Sequence, residues 1–242
     1  MEKYDIQTHI LPNIDDGSPD IDISLILLDE LENQGVTHLA FTPHFYSQNF
    51  DMKIGVSALG ETVEEYLDRR YHRWQMVKHN YKGNIKLTYG CEVHMSANLL
   101  DVPDISHFCY HNTNFLLAEM PYESNFPPEQ IGWLNTLIHH FNVVPILAHI
   151  ERYPILIRQP ALLVDLVNMG CMAQINTESL CRRFLSKKLI KLINMGYVHF
   201  IGSDTHSTIR GCDYDNGFSI IERYCPPEII GHLTENGRRI FV

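Results

Sequence analysis

Tyr4-Asp5-Ile6-Gln7-Thr8-His9-Ile10-Leu11-Pro12-Asn13-Ile14-Asp15-Asp16-Gly17 is the stretch on which the reading of this 242-residue chain turns. Its first half alternates like a buried strand: Tyr4, Ile6 and Thr8 set against Asp5, Gln7 and His9. Gln7 and His9 therefore point the same way, and both side chains can hold a metal. Pro12 breaks the strand, and the turn Asp15-Asp16-Gly17 can swing a carboxylate back over the strand end. Ligand-bearing residues at a strand end, followed by an acidic turn, point to a metal site at the mouth of a barrel.

The rest of the chain repeats this arrangement. Ser18–Gln34 reads as a helix stopped by Gly35, and Val36–Thr42 as a strand ending Thr42-Pro43-His44. A long loop with Phe45, Tyr46 and Phe50 follows, then a charged helix from Glu61 to about Asn80. Strands are expected over Ile85–Met95, Phe115–Met120, Val143–Ile150, Cys171–Asn176 and Val198–Ile201. Helices are expected over Pro128–Phe141, Pro160–Met169, Phe184–Met195, Asp215–Tyr224 and Glu228–Asn236, with Gly170 and Gly196 closing two of them. About seven strands alternating with helices imply parallel pairing through right-handed crossovers. A closed barrel and an open doubly wound sheet both fit that order. Polar residues at the end of nearly every strand favour the barrel, where all the ends converge, over the open sheet, where only switch-point strands carry the site. The expected fold is thus α/β, a distorted TIM-like (β/α)7 barrel, in a single domain over 1–242.

Composition limits the function. A formal net charge of −10 argues against a nucleic-acid surface. No run approaches the roughly 18 apolar residues of a membrane span, and the acidic first twenty residues do not resemble a signal peptide. The six cysteines form no C-x-x-C pair and read as reduced thiols of a cytoplasmic protein. None has an arginine six positions later, which removes the covalent cysteine-phosphatase route.

The strand-end residues are Gln7, His9, Asp16, His44, Glu92, Glu119, His149, Asp204 and His206. A lone histidine in a strand is commonly a satisfied core residue. Glu119, inside Phe-Leu-Leu-Ala-Glu-Met, resists that explanation, because a carboxylate in an apolar run costs several kcal/mol to bury unless paired or metal-bound. Asp204 and His206 repeat the spacing of Gln7 and His9. Nine such groups on six strands read as a cluster of metal ligands. His94, on the same face as Glu92, is either a further ligand or a histidine that supports one.

Asp-Ile-Gln-Thr-His-Ile-Leu-Pro-Asn-Ile-Asp-Asp-Gly, Thr-Pro-His44, Gly-Cys-Glu92, Leu-Ala-Glu119, Ala-His149-Ile-Glu-Arg152-Tyr and Ser-Asp204-Thr-His206 resemble the polymerase and histidinol phosphatase (PHP) superfamily. They are most similar to its branch of bacterial capsular-polysaccharide protein-tyrosine phosphatases. The resemblance runs from residue 4 to Ile240 and implies a distorted seven-stranded PHP barrel holding two or three divalent ions. Manganese comes first, with Mg²⁺, Fe²⁺ and Zn²⁺ as alternatives. It also implies hydrolysis, by a metal-activated hydroxide, of phosphotyrosine on the tail of a cognate bacterial tyrosine kinase that controls capsular or exopolysaccharide synthesis. Three ions would bring six positive charges against four from Asp16, Glu92, Glu119 and Asp204, leaving a mouth that attracts a phosphate dianion. Arg152 and Arg210 then suit a bidentate grip on phosphate, and His206 is a candidate proton donor as well as a ligand. One departure stands out: the family opens Asp-x-His-x-His, and this chain has Gln7 in place of the first His. A carboxamide oxygen suits Mn²⁺ or Mg²⁺ and disfavours Zn²⁺. Two alternatives therefore stay open: a small-molecule phosphoesterase of the histidinol-phosphatase kind, and a metal-impaired pseudophosphatase that binds phosphotyrosine tails.

Overall fold

Residues 4–12 form one uninterrupted buried stretch, and the strands are laid down around it. The structure, a computed structural model, describes residues 1–122, 124–208 and 212–242. The first strand, β1 (Tyr4–Asp5), pairs in parallel with β2 (His38–Phe41), which pairs with β6 (Lys86–Tyr89). On its other side the opening stretch meets β11 (Phe200–Gly202) and the residues after it. Ile6 N–H donates to the Ile201 carbonyl at 3.2 Å, His9 N–H to Thr205 at 2.8 Å, and Asp204 N–H to Gln7 at 2.9 Å. A second set of parallel strands runs β11, β10 (Met172–Asn176), β9 (Val144–Leu147), β8 (Phe115–Glu119), β7 (Glu92–His94) and β3 (His44–Tyr46).

The two sets join at a pair of kinks. Pro43, which has no N–H to give a ladder, separates β2 from β3. Beside it, Gly90-Cys91 separates β6 from β7. Gly90 N–H donates to Phe41 at 2.8 Å and Glu92 N–H to Pro43 at 3.1 Å, so the kinks are stitched together. Counting each kinked pair as one strand gives seven parallel strands among the described residues, as the sequence pattern predicts. The expected strand over 85–95 is thus two strands. The region after Pro43, read as a loop, instead holds β3 and a small hairpin, β4 (Phe50–Asp51) with β5 (Val56–Ser57). Phe45 anchors it by stacking on Phe50 and packing against Phe108.

The helices lie on the outside. They are α1 (Ile21–Asn33), α2 (Val63–Asn80), α3 (Pro128–His139), α4 (Pro154–Arg158), α5 (Pro160–Met169), α6 (Thr177–Leu180), α7 (Arg183–Asn194), α8 (Tyr214–Tyr224) and α9 (Pro227–Arg238). α2 begins with a capping box in which Thr62 and Glu65 satisfy each other's backbone N–H. Strand residues divide by parity between two cores. Leu116, Ala118 and Leu147 pack against the helices, whereas Phe115, Leu117, Ile146 and Ala148 fill an inner cluster with Ile6 and Phe200. Glu119 continues the Phe115–Leu117 face by two residues. It therefore stands just past the apolar filling, at the C-terminal ends of the strands.

One histidine outside that end carries a pH dependence. His199 Nδ1 accepts the Ala173 N–H at 3.1 Å, which only a ring unprotonated at Nδ1 can do. Burial, helped by Arg239, pulls its pKa down from 6.5 to about 4. The unfolded chain takes up this proton near 6.5 and the folded chain near 4. The stabilisation is therefore complete above pH 6.5 and lost as pH falls from there toward 4. Between pH 7 and 4.5 this amounts to about 2 kcal/mol. Denaturant titrations of wild type and His199→Gln at the two pH values should show the variant losing less stability by about that amount.

Candidate metal centre

The ends of the strands bring together His9, Asp16, His44, Glu92, Glu119, His149, Asp204 and His206, with Gln7 and Arg152 beside them. Three sets of these residues have ligand atoms within 4.8 Å of one another: His9, Asp16, His44 and His206; His9, Glu92 and Asp204; His44, Glu92 and Glu119. His9 belongs to two sets, as do His44 and Glu92, so the sets form one continuous centre.

Backbone shape puts them there. His149 and Asp204 both take left-handed conformations (φ 32° and 56°), which non-glycine residues adopt at a cost of order 1–3 kcal/mol. At His149 the bend ends the strand earlier than its apolar run predicts. It then starts a short 3-10 turn, Ile150–Arg152, that carries the Arg152 guanidinium onto Asp204. The acidic turn is held down by Gly17: a β-carbon there would lie 1.7 Å from the His9 carbonyl oxygen. Tyr153 bridges both the N–H and the carbonyl of Met120, fixing the residue after Glu119.

Hydrogen bonds also set the imidazole tautomers. His9 Nδ1–H donates to Asp15 at 2.8 Å, leaving Nε2 2.9 Å from Glu92 Oε2 and 3.4 Å from Asp204 Oδ1. His206 Nδ1–H donates to the Asp204 carbonyl at 2.7 Å, and its Nε2 faces Asp16 at 3.7 Å. Such outer partners orient ligands and raise their basicity. The inner atoms are left over: His9 Nε2, His44 Nδ1 and Glu92 Oε2 are buried without a hydrogen-bond partner, as is the oxygen of Gln7, whose carboxamide turns Nε2 toward Asp204. His9 Nε2 and Glu92 Oε2 are close, but lack the angle of a hydrogen bond. Buried polar atoms do not normally go unpaired, and divalent ions would satisfy these. The donor set, histidine nitrogens with carboxylate oxygens, fits such ions.

The electrostatics are those of ligands pressed together. Burial would depress His9, but Asp15, Asp204 and Glu92 outweigh it and hold its pKa well above 6.5. Burial would raise Glu92 and Asp204, yet their histidine contacts win: Glu92 lies well below 4.5 and Asp204 at about 2. Glu119 is the exception, raised to about 7 by burial and by Glu92. An ion entering here displaces protons from His9 and Glu119, so uptake should tighten as pH rises through neutrality.

Of the neighbouring aspartates, Asp16 faces His44 and His206 at 3.7 Å each with its side chain largely exposed. The Asp15 side chain is buried and holds His9, the His44 N–H and the Gly17 N–H. The sequence reading named Asp16 alone. Gln7 is buried and donates from Nε2 to Asp204 Oδ1 at 3.3 Å. His94 lines the same cavity, outside the three sets. Arg210 lies outside the described residues. The sequence reading also passed over Asp5 and Asn176. Asp5 is fully buried, accepts N–H groups from Gln7 and Ser203, and is raised to about 7 by burial. Asn176 donates to Asp204 Oδ2 at 3.0 Å. Both signals were present: Asp5 precedes Gln7 by two, and Asn176 is itself a polar strand end.

In front of the centre is a cavity of about 610 Å³, bordered by Tyr46, Met120, Tyr153, Arg152 and, on its outer wall, Arg182 and Leu185. A parallel α/β array with histidines and carboxylates at its strand ends, opening on such a cavity, defines the class of proteins that hold divalent metal at the mouth of their strands. Within it, the chain belongs to the family described as capsular polysaccharide synthesis, CpsB/CapC, whose model matches residues 3–240. It is 28% identical over 236 residues to the tyrosine-protein phosphatase YwqE of Bacillus subtilis, covering 96% of this chain and 89% of that one. It is 27% identical over 215 residues to the tyrosine-protein phosphatase CpsB of Streptococcus agalactiae, covering 84% and 82%. Among solved structures it resembles one described under YwqE from Bacillus subtilis and CpsB from Streptococcus pneumoniae, unique metal-dependent tyrosine phosphatases. That match has a TM-score of 0.76 and 24% identity, and covers 98% of this chain and 93% of that one. A more distant fold match is the phosphotriesterase homology protein of Escherichia coli, at TM-score 0.56 and 9% identity.

Proposed function

We propose that residues 1–242 act as one PHP-type domain: a manganese-dependent protein-tyrosine phosphatase. It acts in the cytoplasm, and its substrate is phosphotyrosine on the tail of a cognate bacterial tyrosine kinase that controls capsular or exopolysaccharide synthesis. The observation that carries this reading is the set of buried, unpaired ligand atoms on His9, His44 and Glu92, behind a cavity that His44 and Arg152 line. His9, His44, Glu92, Glu119, His149, Asp204, His206 and Asp16 would hold the ions, with Gln7 Oε1 as a hard oxygen in place of an imidazole. Bound divalent ions supply Lewis acidity toward water and toward phosphoryl oxygens.

The chain's own groups do the rest. Arg152 is half exposed to the cavity, and its guanidinium can fork onto two phosphate oxygens. Asp204 fixes its direction. Tyr46, which stacks on His44 with ring centroids 5.2 Å apart, offers an aromatic wall to a tyrosyl ring. His206 fits a ligand better than an acid. Burial and His9 lower its pKa, and its Nδ1–H is committed to a carbonyl.

Purified chain supplied with Mn²⁺ should hydrolyse a phosphotyrosine peptide with a higher kcat/KM than histidinol phosphate. A preference for histidinol phosphate would favour the small-molecule reading. Tight binding of the phosphopeptide without turnover would favour the pseudophosphatase reading.

A further inference from the structure

From Ser179 to Asn194 the chain has five Lys or Arg and no Asp or Glu, in a protein of formal charge −10. This segment forms the outer wall of the catalytic cavity through Ser179, Arg182 and Leu185. Arg183, Phe184, Lys187 and Lys188 are exposed in the same segment, Phe184 at 84%. Lys188 is three residues on from Leu185 and four on from Phe184 in α7, so it shares a side of the helix with each.

This is a poor way to begin a helix. α7 has no side-chain cap and no acidic residue in its first turn. Arginines there oppose the helix dipole, and Phe184 leaves a large apolar side chain in water. Arg182 pairs with Glu178 at 2.5 Å, but both are exposed, and such a pair is worth little. Stability therefore does not explain the composition. The cavity itself supplies a reason. Asp16, Glu119, Glu151 and Glu178 line it, and an acidic polypeptide approaching them meets repulsion unless cations stand at the rim.

We propose that Arg182, Phe184 and Lys188 form a docking rim for a phosphotyrosine peptide with acidic flanking residues. The phosphotyrosine enters the cavity, its neighbouring carboxylates lie against the cations, and an apolar flanking side chain packs on Phe184. The proposal rests on the tyrosine-phosphatase reading and deepens it by assigning the substrate class.

The test uses the full chain with Mn²⁺ and three substrates: para-nitrophenyl phosphate, a phosphotyrosine peptide with neutral flanks, and the same peptide with three flanking glutamates. Wild type should show a KM for the acidic peptide about tenfold below that for the neutral one, a gap that closes in high salt. Arg182→Glu/Lys188→Glu should abolish the gap by raising KM on the acidic peptide, with kcat kept. Equal KM values for the two peptides in wild type, or an equal effect of the variant on both, would overturn the rim. Failure to turn over para-nitrophenyl phosphate would instead overturn the phosphatase reading. The rim is then decided by fluorescence anisotropy with labelled, non-hydrolysable phosphonate versions of both peptides. A lost preference for the acidic one in the variant supports it, and no preference in wild type overturns it.

Discussion

Gln7→His is expected to raise divalent-ion affinity beside His9 and Asp204 and to speed aryl-phosphate hydrolysis at limiting Mn²⁺ by about tenfold or more. Gln7 Nε2 donates to Asp204 Oδ1, an oxygen that the His9–Glu92–Asp204 set needs for an ion. Asp204 is thus held by three protein donors at once: Gln7, Asn176 and Arg152. To take part in binding, the carboxamide must turn its oxygen inward and release Asp204. An imidazole has no such competing role, since it offers a ring nitrogen directly. The backbone fixes where the side chain starts. A β-carbon on Gly202 would sit 2.9 Å from Gln7 Cβ, so residue 7 is pressed against β11 and its end group has a defined reach.

The substitution should also change which ion is kept. Carboxamide oxygen suits Mn²⁺ and Mg²⁺, whereas a second histidine nitrogen favours Zn²⁺. Elemental analysis of both proteins after exposure to an equimolar metal mixture should show more zinc in Gln7→His. Unchanged metal content together with an unchanged rate would remove residue 7 from the centre.

Much of this site is legible in the sequence because strand periodicity and chemistry agree. Glu119, Asp204 and His206 are polar residues at the ends of apolar runs, and a parallel array brings those ends together. The kinks at Pro43 and Gly90 are less legible. Buried residues lie on both sides of each kink, and periodicity does not report which neighbour a strand pairs with. The choice between Asp15 and Asp16 is also closed to sequence reasoning. Adjacent carboxylates in one turn differ only in direction, and that is set by Gly17 lying on the His9 carbonyl, a contact between residues eight apart. Arg152 is legible as a candidate from its motif. Its pairing with Asp204 is not, because their contact depends on the left-handed bend at His149.

Metal removal and Glu92→Gln should act in the same direction. Glu92 is the carboxylate with the most to lose. His149 Nε2 meets its Oε1 at 2.8 Å, and its Oε2 faces both His9 Nε2 at 2.9 Å and His44 Nδ1 at 3.4 Å. It belongs to two of the three ligand sets, so its loss weakens two ion positions at once. Glutamine keeps its shape and one oxygen but not its charge. Loss of several kcal/mol of transition-state stabilisation corresponds to a fall in kcat of about a thousandfold or more with Mn²⁺ present. Stability gives a readout independent of turnover. An ion at about a hundred times its Kd adds about 2.7 kcal/mol, which for a chain of this size is about 5–10 °C in Tm. Wild type should therefore melt that much lower in chelator than in Mn²⁺, as Asp16, Glu92, Glu119 and Asp204 are left facing one another. Glu92→Gln should show a smaller rise, at most the part due to the set that lacks it, His9, Asp16, His44 and His206. A variant that kept the manganese-dependent rise in Tm and the wild-type rate would show that the ions, if bound at all, sit elsewhere than between His9, His44 and His149.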